Sequence, residues 1–179
     1  MRAEQAVRHR EQALAPGFER FGQRVEHVVT VEARLKSESS PEVVGAIQQL
    51  FKAVHGAGVD PLLLELVHLR ASQINGCSPC VHAGVASAKR QGETDDRLHN
   101  VVTWRETPFF TEPERAALAL TEAAIRIQDG QPGVTDDIWA AAAEHFDEPQ
   151  LSAIVLNIAL TGFFNRINRA IREQAGKAW

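Results

Sequence analysis

The chain is poor in cysteine: among 179 residues it has two, and both stand in the tetrad Cys77-Ser78-Pro79-Cys80. It also lacks any basic run. Nineteen Lys and Arg against 23 Asp and Glu leave a formal net charge of −4, without the electrostatic footprint of a nucleic-acid binder. No stretch approaches the ~18 uninterrupted apolar residues that a membrane span needs. The opening MRAEQAVRHREQ is charged and has no apolar core of a signal peptide. These absences predict a cytoplasmic protein with neither nucleic acid nor membrane among its partners. Strand alternation and hairpin turn signals are missing too, so the expected fold class is all-α.

What is present is a series of helix starts and stops. Residues 1–38 are polar and weakly patterned, but Phe18, Phe21, Val25 and Val28 share a helical spacing. They predict a helical N-terminal arm or a partly ordered extension, followed by a single helical domain over 39–179. Ser40-Pro41-Glu42 and Asp60-Pro61 open two helices, the first with Val44, Ile47, Leu50, Phe51 and Val54 on one side. Gly76 and the tetrad lead into a small-residue helix over 81–91, with Gly92 as its expected C′ residue. Thr94 starts a short helix expected to end around Trp104. The WRETPFF segment reads as a loop with two exposed aromatics, Phe109 and Phe110, and with Trp104 and Arg105 as anchors. Thr111-Glu112-Pro113-Glu114 is a capping box. Thr135 and Asp147 open the last two helices, the final one from Leu151 to about Glu173. That helix is apolar on nearly all sides as far as Ile167, which requires burial in the core or under a second subunit.

The tetrad carries the chemistry. In a reducing compartment two cysteines are a poor structural staple, which favours a catalytic or metal-binding role. Residues i and i+3 in the first turn of a helix meet the ~4.4–6.8 Å Cα separation of a disulfide. The helix start stabilises a thiolate there. A thiolate can attack a peroxide bond to give a sulfenic acid, and a neighbouring thiol can condense with it to a disulfide. The same pair could also oxidise, reduce or isomerise other disulfides. A tetrahedral zinc site needs four ligands, and only His82, His68 or Glu65 could join the two sulfurs; neither a metal nor a cofactor is expected.

The segment ELVHLRASQINGCSPCVHAG, followed by KRQGETDDRLHNVVTWRETPFFTEPERAALALTEA, resembles the AhpD-like alkylhydroperoxidases of the carboxymuconolactone decarboxylase superfamily. The resemblance runs from about Pro61 to Phe146. It rests on a Glu twelve residues before a CxxC, on SQINGC between them, and on WRETPFF after. It implies an AhpD-like helical domain, a trimer or hexamer, and a peroxide substrate. It further implies a peroxidatic Cys80, a resolving Cys77 and a proton-relaying Glu65. The partner would be a dithiol reductant protein of lipoyl or thioredoxin type.

One residue departs from the family pattern CxxCxxxH: position 84 is Gly84. His82 stands two residues earlier, rotated by ~200° on a helix. His68 stands one turn after Glu65, on the same face. Either is a candidate for accepting the thiol proton, through water if not directly. A straight helix to Ile74 would put Glu65 ~14 Å before the turn, far from Cys80. The expectation is therefore a helix that ends early, crosses steeply, or faces a neighbouring chain. Two other functions remain open: a non-enzymatic redox sensor or disulfide-exchange protein, and a lactone decarboxylase, against which the CxxC pair argues.

Overall fold

Seven α-helices and one 3₁₀ segment make up the described part of the chain, in a computed structural model that describes residues 32–35, 40–127, 129–130 and 133–176. Residues 32–35 are irregular, and the arm expected around Phe18, Phe21, Val25 and Val28 lies outside the described residues. The helices are α1 Pro41–His55, α2 Pro61–Asn75, α3 Ser78–Arg90, α4 Asp95–Asn100, α5 Glu112–Ile125, α6 Asp136–Ala143 and α7 Glu148–Ile171. The 3₁₀ segment Val101–Glu106 follows α4. No strand occurs among the described residues, and none of the helices is long and apolar enough to cross a membrane.

Short polar side chains start these helices, as their positions foretell. Ser40, Asp60, Thr94, Thr135 and Asp147 each accept a hydrogen bond from a backbone N–H in the first turn. Thr111 with Glu114, and Asp147 with Gln150, form reciprocal capping boxes. α7 therefore begins at Glu148, three residues before the first apolar residue of its sequence pattern.

α2 is the axis of the domain. Leu63, Leu64, Val67 and Ala71 pack into one apolar cluster with Leu120 of α5 and Leu151, Ile154 and Ile158 of α7. Leu66 and Leu69, on its other side, join a second cluster with Ala88, Leu98, Val101, Trp104, Phe110 and Leu118. Fully burying each such side chain stabilises the fold by roughly 1.5–3 kcal/mol. A helix clamped on both sides is a rigid support, and the candidate site hangs from its C-terminal end.

Two expectations need correction. Phe110 is buried in the second cluster, under the Arg97 guanidinium, because the loop folds back on α5; only Phe109 is exposed. The short helix beginning at Thr94 becomes 3₁₀ from Val101, with Thr103 off helical geometry. On α1 only Val54 is fully buried, while Val43, Val44 and Leu50 stay exposed.

Candidate functional site

The turn between α2 and α3 is made by Gly76, whose φ of 64° is left-handed and favours glycine. It lets the Cys77 N–H reach back to the Ser72 carbonyl at 3.0 Å, closing the end of α2. Cys77 then serves as N-cap of α3, Pro79 takes the first turn, and Cys80 is the third helical residue. The two Cα atoms are 5.3 Å apart and the sulfurs form a disulfide. Cys77 is fully buried, whereas Cys80 keeps 6% of its surface, so a solute reaches Cys80 first.

Glu65 and His68 follow the same seam between α2 and α3. The early-ending alternative does not hold: α2 runs unbroken to Asn75. Glu65 accepts hydrogen bonds from Ser87 Oγ at 2.5 Å and Gln91 Nε2 at 3.3 Å. Ser87 lies seven residues after Cys80, about 10 Å along the helix. Glu65 is thus held at a distance from the sulfurs within one chain.

His68 fills that gap. Its Nδ1 stands 3.9 Å from Glu65 Oε2, and its ring donates to the Cys80 carbonyl. Enclosure of the ring lowers its pKa, against the raising effects of the Glu65 carboxylate and of that hydrogen bond. The imidazole is therefore held neutral near pH 7, the form that accepts a proton.

Position 84 explains why there is room for it. Gly84 is buried, and a β-carbon built there would lie 3.8 Å from His68 Nε2 and 3.9 Å from its Cδ2. The space into which a side chain at 84 would project is taken by the imidazole arriving from α2. His82 goes elsewhere: it is exposed and lines an open groove with Gln73, Gly76, Ser78, Val81 and Lys89. It is not brought to Glu65 or His68.

Two groups of residues escaped the sequence reading. The first is a polar stripe on the α7 face that meets α2. Asn157 donates to the Leu64 carbonyl, Asn165 to Ser72 Oγ, and Asn75 to Asn165 Oδ1. Asn168 continues the stripe, its Nδ2 lying 3.2 Å from Cys80 Sγ and 3.9 Å from Cys77 Sγ. The signal was present as asparagines at 157, 165 and 168 in a helix otherwise rich in apolar residues. The second is Glu122, which accepts from Arg70 Nε, Trp104 Nε1, Arg105 Nη1 and Arg126 Nη1. Burial opposes its ionisation, but the hydrogen bonds from Arg105, Trp104 and Arg70 outweigh it and bring its pKa to about 2. This cluster anchors the 3₁₀ segment to α2 and α5, away from the sulfurs. Among the described residues, no three His, Cys, Asp or Glu side chains converge as a metal site requires.

Comparison with known proteins agrees with the all-helical fold. The sequence profile of the carboxymuconolactone decarboxylase family matches residues 41–123. The uncharacterized protein YdfG of Bacillus subtilis (strain 168) is 31% identical over 138 residues, spanning 77% of this chain and 92% of that protein. A protein of unknown function from Agrobacterium tumefaciens, proposed to be an antioxidant defence protein AhpD, superposes with a TM-score of 0.75 at 30% identity. That match covers 82% of this chain and all of the other. The debrominase Bmp8 shares the fold, with a TM-score of 0.67 at 24% identity over 75% of this chain and 72% of its own.

Proposed function

Since the chain belongs to the carboxymuconolactone decarboxylase family, in its AhpD-like branch, we propose that it is a thiol-dependent peroxidase acting through Cys80 and Cys77. The observation that carries this reading is a redox-capable cysteine pair at the start of α3, with a neutral imidazole and a carboxylate along the same seam.

In the reduced protein Cys80, the more accessible of the two, gives up its proton toward His68, through water where needed. Its thiolate attacks the terminal oxygen of a hydroperoxide, breaking the O–O bond. Cys80 becomes a sulfenic acid and the alkoxide leaves as an alcohol after taking one proton. The Cys77 thiol then attacks the sulfenic sulfur, forming the disulfide and releasing water. A dithiol reductant of lipoyl or thioredoxin type returns two electrons and two protons. Glu65 stabilises the positive charge that His68 carries between these steps.

His68 is preferred over His82 for the relay because it touches the Cys80 backbone and occupies the space beside Gly84. Exposed Val155, Leu156 and Phe163 on α7 support a homo-oligomer, for which a trimer or hexamer is our proposal. Turnover by a reducible disulfide fits a reducing compartment such as the cytoplasm. The test is consumption of hydrogen peroxide and an alkyl hydroperoxide with dithiol donors. Cys80→Ser should abolish it, and Cys77→Ser should leave a trappable sulfenic acid. Peroxide loss that ignores both substitutions would sink the reading.

A further inference from the structure

Among the described residues, Asn168 is the one side chain from outside the α2–α3 hairpin that hydrogen-bonds to the sulfurs. It is 4% exposed, and its two amide atoms are treated very differently. Nδ2 donates to Cys80 Sγ at 3.2 Å and lies 3.9 Å from Cys77 Sγ. Oδ1 is buried without any hydrogen-bond partner. An orphaned buried carbonyl is costly, and such atoms in a folded protein call for an explanation.

The disulfide itself supplies the explanation. Two bonded sulfurs carry no hydrogen and can only accept. Reduction by a dithiol adds two electrons and two protons, so the S–S bond breaks and hydrogen appears on sulfur. We infer that Asn168 is a redox-state-dependent partner of the pair: its Nδ2–H holds the Cys80 thiolate, and its Oδ1 takes the S–H of Cys77. Each amide atom is then satisfied in the dithiol form, whereas one is stranded in the disulfide form. The residue therefore favours the reduced protein and favours the thiolate on Cys80 rather than on Cys77. This rests on the reading of Cys80 as the attacking thiol.

Other groups near the pair do not replace it. His68 on α2 engages the Cys80 carbonyl, with Glu65 beyond it. His82 on α3 is exposed, and Arg169 on α7 donates to the Asn75 carbonyl near Gly76. Ser72 hydrogen-bonds to Asn165. None of these contacts involves Asn168, so an Asn168 variant isolates the amide.

The experiment needs no peroxide. Cys80 alkylation is followed against pH in Asn168→Leu and Asn168→Ala, with Asn165→Leu as control. Asn165 is a similarly buried amide on the same helix that hydrogen-bonds to Ser72 and Asn75 rather than to sulfur. The Asn168 variants should move the alkylation midpoint upward by about one unit, a tenfold slower reaction below it. The dithiol–disulfide equilibrium against a reference dithiol should shift about tenfold toward disulfide, near 30 mV more negative. Asn165→Leu should lower stability and leave both readings alone. If the Asn168 variants fail to fold, the wild-type side-chain amide resonances of Asn168 carry the test, and they should move on reduction. Wild-type midpoint and potential in folded Asn168 variants, or amide resonances indifferent to reduction, would overturn the inference. Loss of peroxidase activity alone touches only the proposed function, because neither reading uses a peroxide.

Discussion

The imidazole of His68 stands where a side chain at residue 84 would project: Nε2 lies 3.8 Å from the β-carbon position of Gly84. A histidine on the helix before the cysteines thus fills the space beside residue 84 on the helix after them. It also has a direct neighbour, Glu65, one turn earlier on α2.

Gly84 should therefore tolerate a methyl group but not an imidazole. Contacts of 3.8 to 4.0 Å are ordinary, and alanine suits a helix interior better than glycine by up to ~1 kcal/mol. Gly84→Ala should raise the thermal midpoint slightly with activity retained. Gly84→His, which restores the family spacing, should instead displace His68 and lower peroxide turnover. An unaltered rate in Gly84→His would contradict the shared-space argument.

His68→Phe removes the base while filling its volume, and should lower kcat/KM for peroxide by 10²–10⁴-fold, the usual contribution of a general base. In the wild type the lowered His68 pKa keeps the base form complete at neutral pH, so the rate should fall only below the ordinary histidine value of ~6.5. Glu65→Gln takes away a raising influence on that pKa. The acid limb of its pH–rate curve should therefore move to lower pH, alongside a reduced maximum. A limb that moves upward would be the wrong sign.

Stability should depend on Glu122 in acid. Its folded pKa of about 2 lies below the unfolded value of 4.5. The stabilisation is therefore complete above pH ~4.5 and is lost as pH falls toward the folded value, amounting to ~3 kcal/mol in all. Denaturant titrations between pH 7 and 3 should show wild-type stability falling through this window, with Glu122→Gln less stable at pH 7 and flatter below 4.5. Leu66→Ala, at the centre of the second cluster, should cost 2–5 kcal/mol at every pH.

Much of the fold could be read from the sequence because its helices begin with local signals. Ser40, Asp60, Thr111 and Asp147 act within three or four residues, and a linear reading captures that scale. Phe110 could not be placed the same way: its burial depends on a loop folding over α5, which no local pattern encodes. The site divides similarly. Cys77 and Cys80 are neighbours in sequence, and Glu65 and His68 share a helix face. The exchange between His68 and Gly84 joins residues sixteen apart. Asn168 reaches the sulfurs from eighty-eight positions away, through the packing of α7 on α2. Glu122 gathers Arg70 from α2 and Trp104 and Arg105 from the 3₁₀ segment by packing, with Arg126 added from the turn after its own helix.

The central claim is that the cysteine pair turns over peroxide at the expense of a dithiol. Its most direct test is steady-state consumption of an alkyl hydroperoxide by the wild-type chain, Cys80→Ser and Cys77→Ser, with lipoyl and thioredoxin-type donors. The expected result is donor-dependent turnover in the wild type, none in Cys80→Ser, and a single turnover ending in a sulfenic acid in Cys77→Ser. Absence of donor-supported turnover in the wild type, with the disulfide still reducible by the same donors, would contradict it.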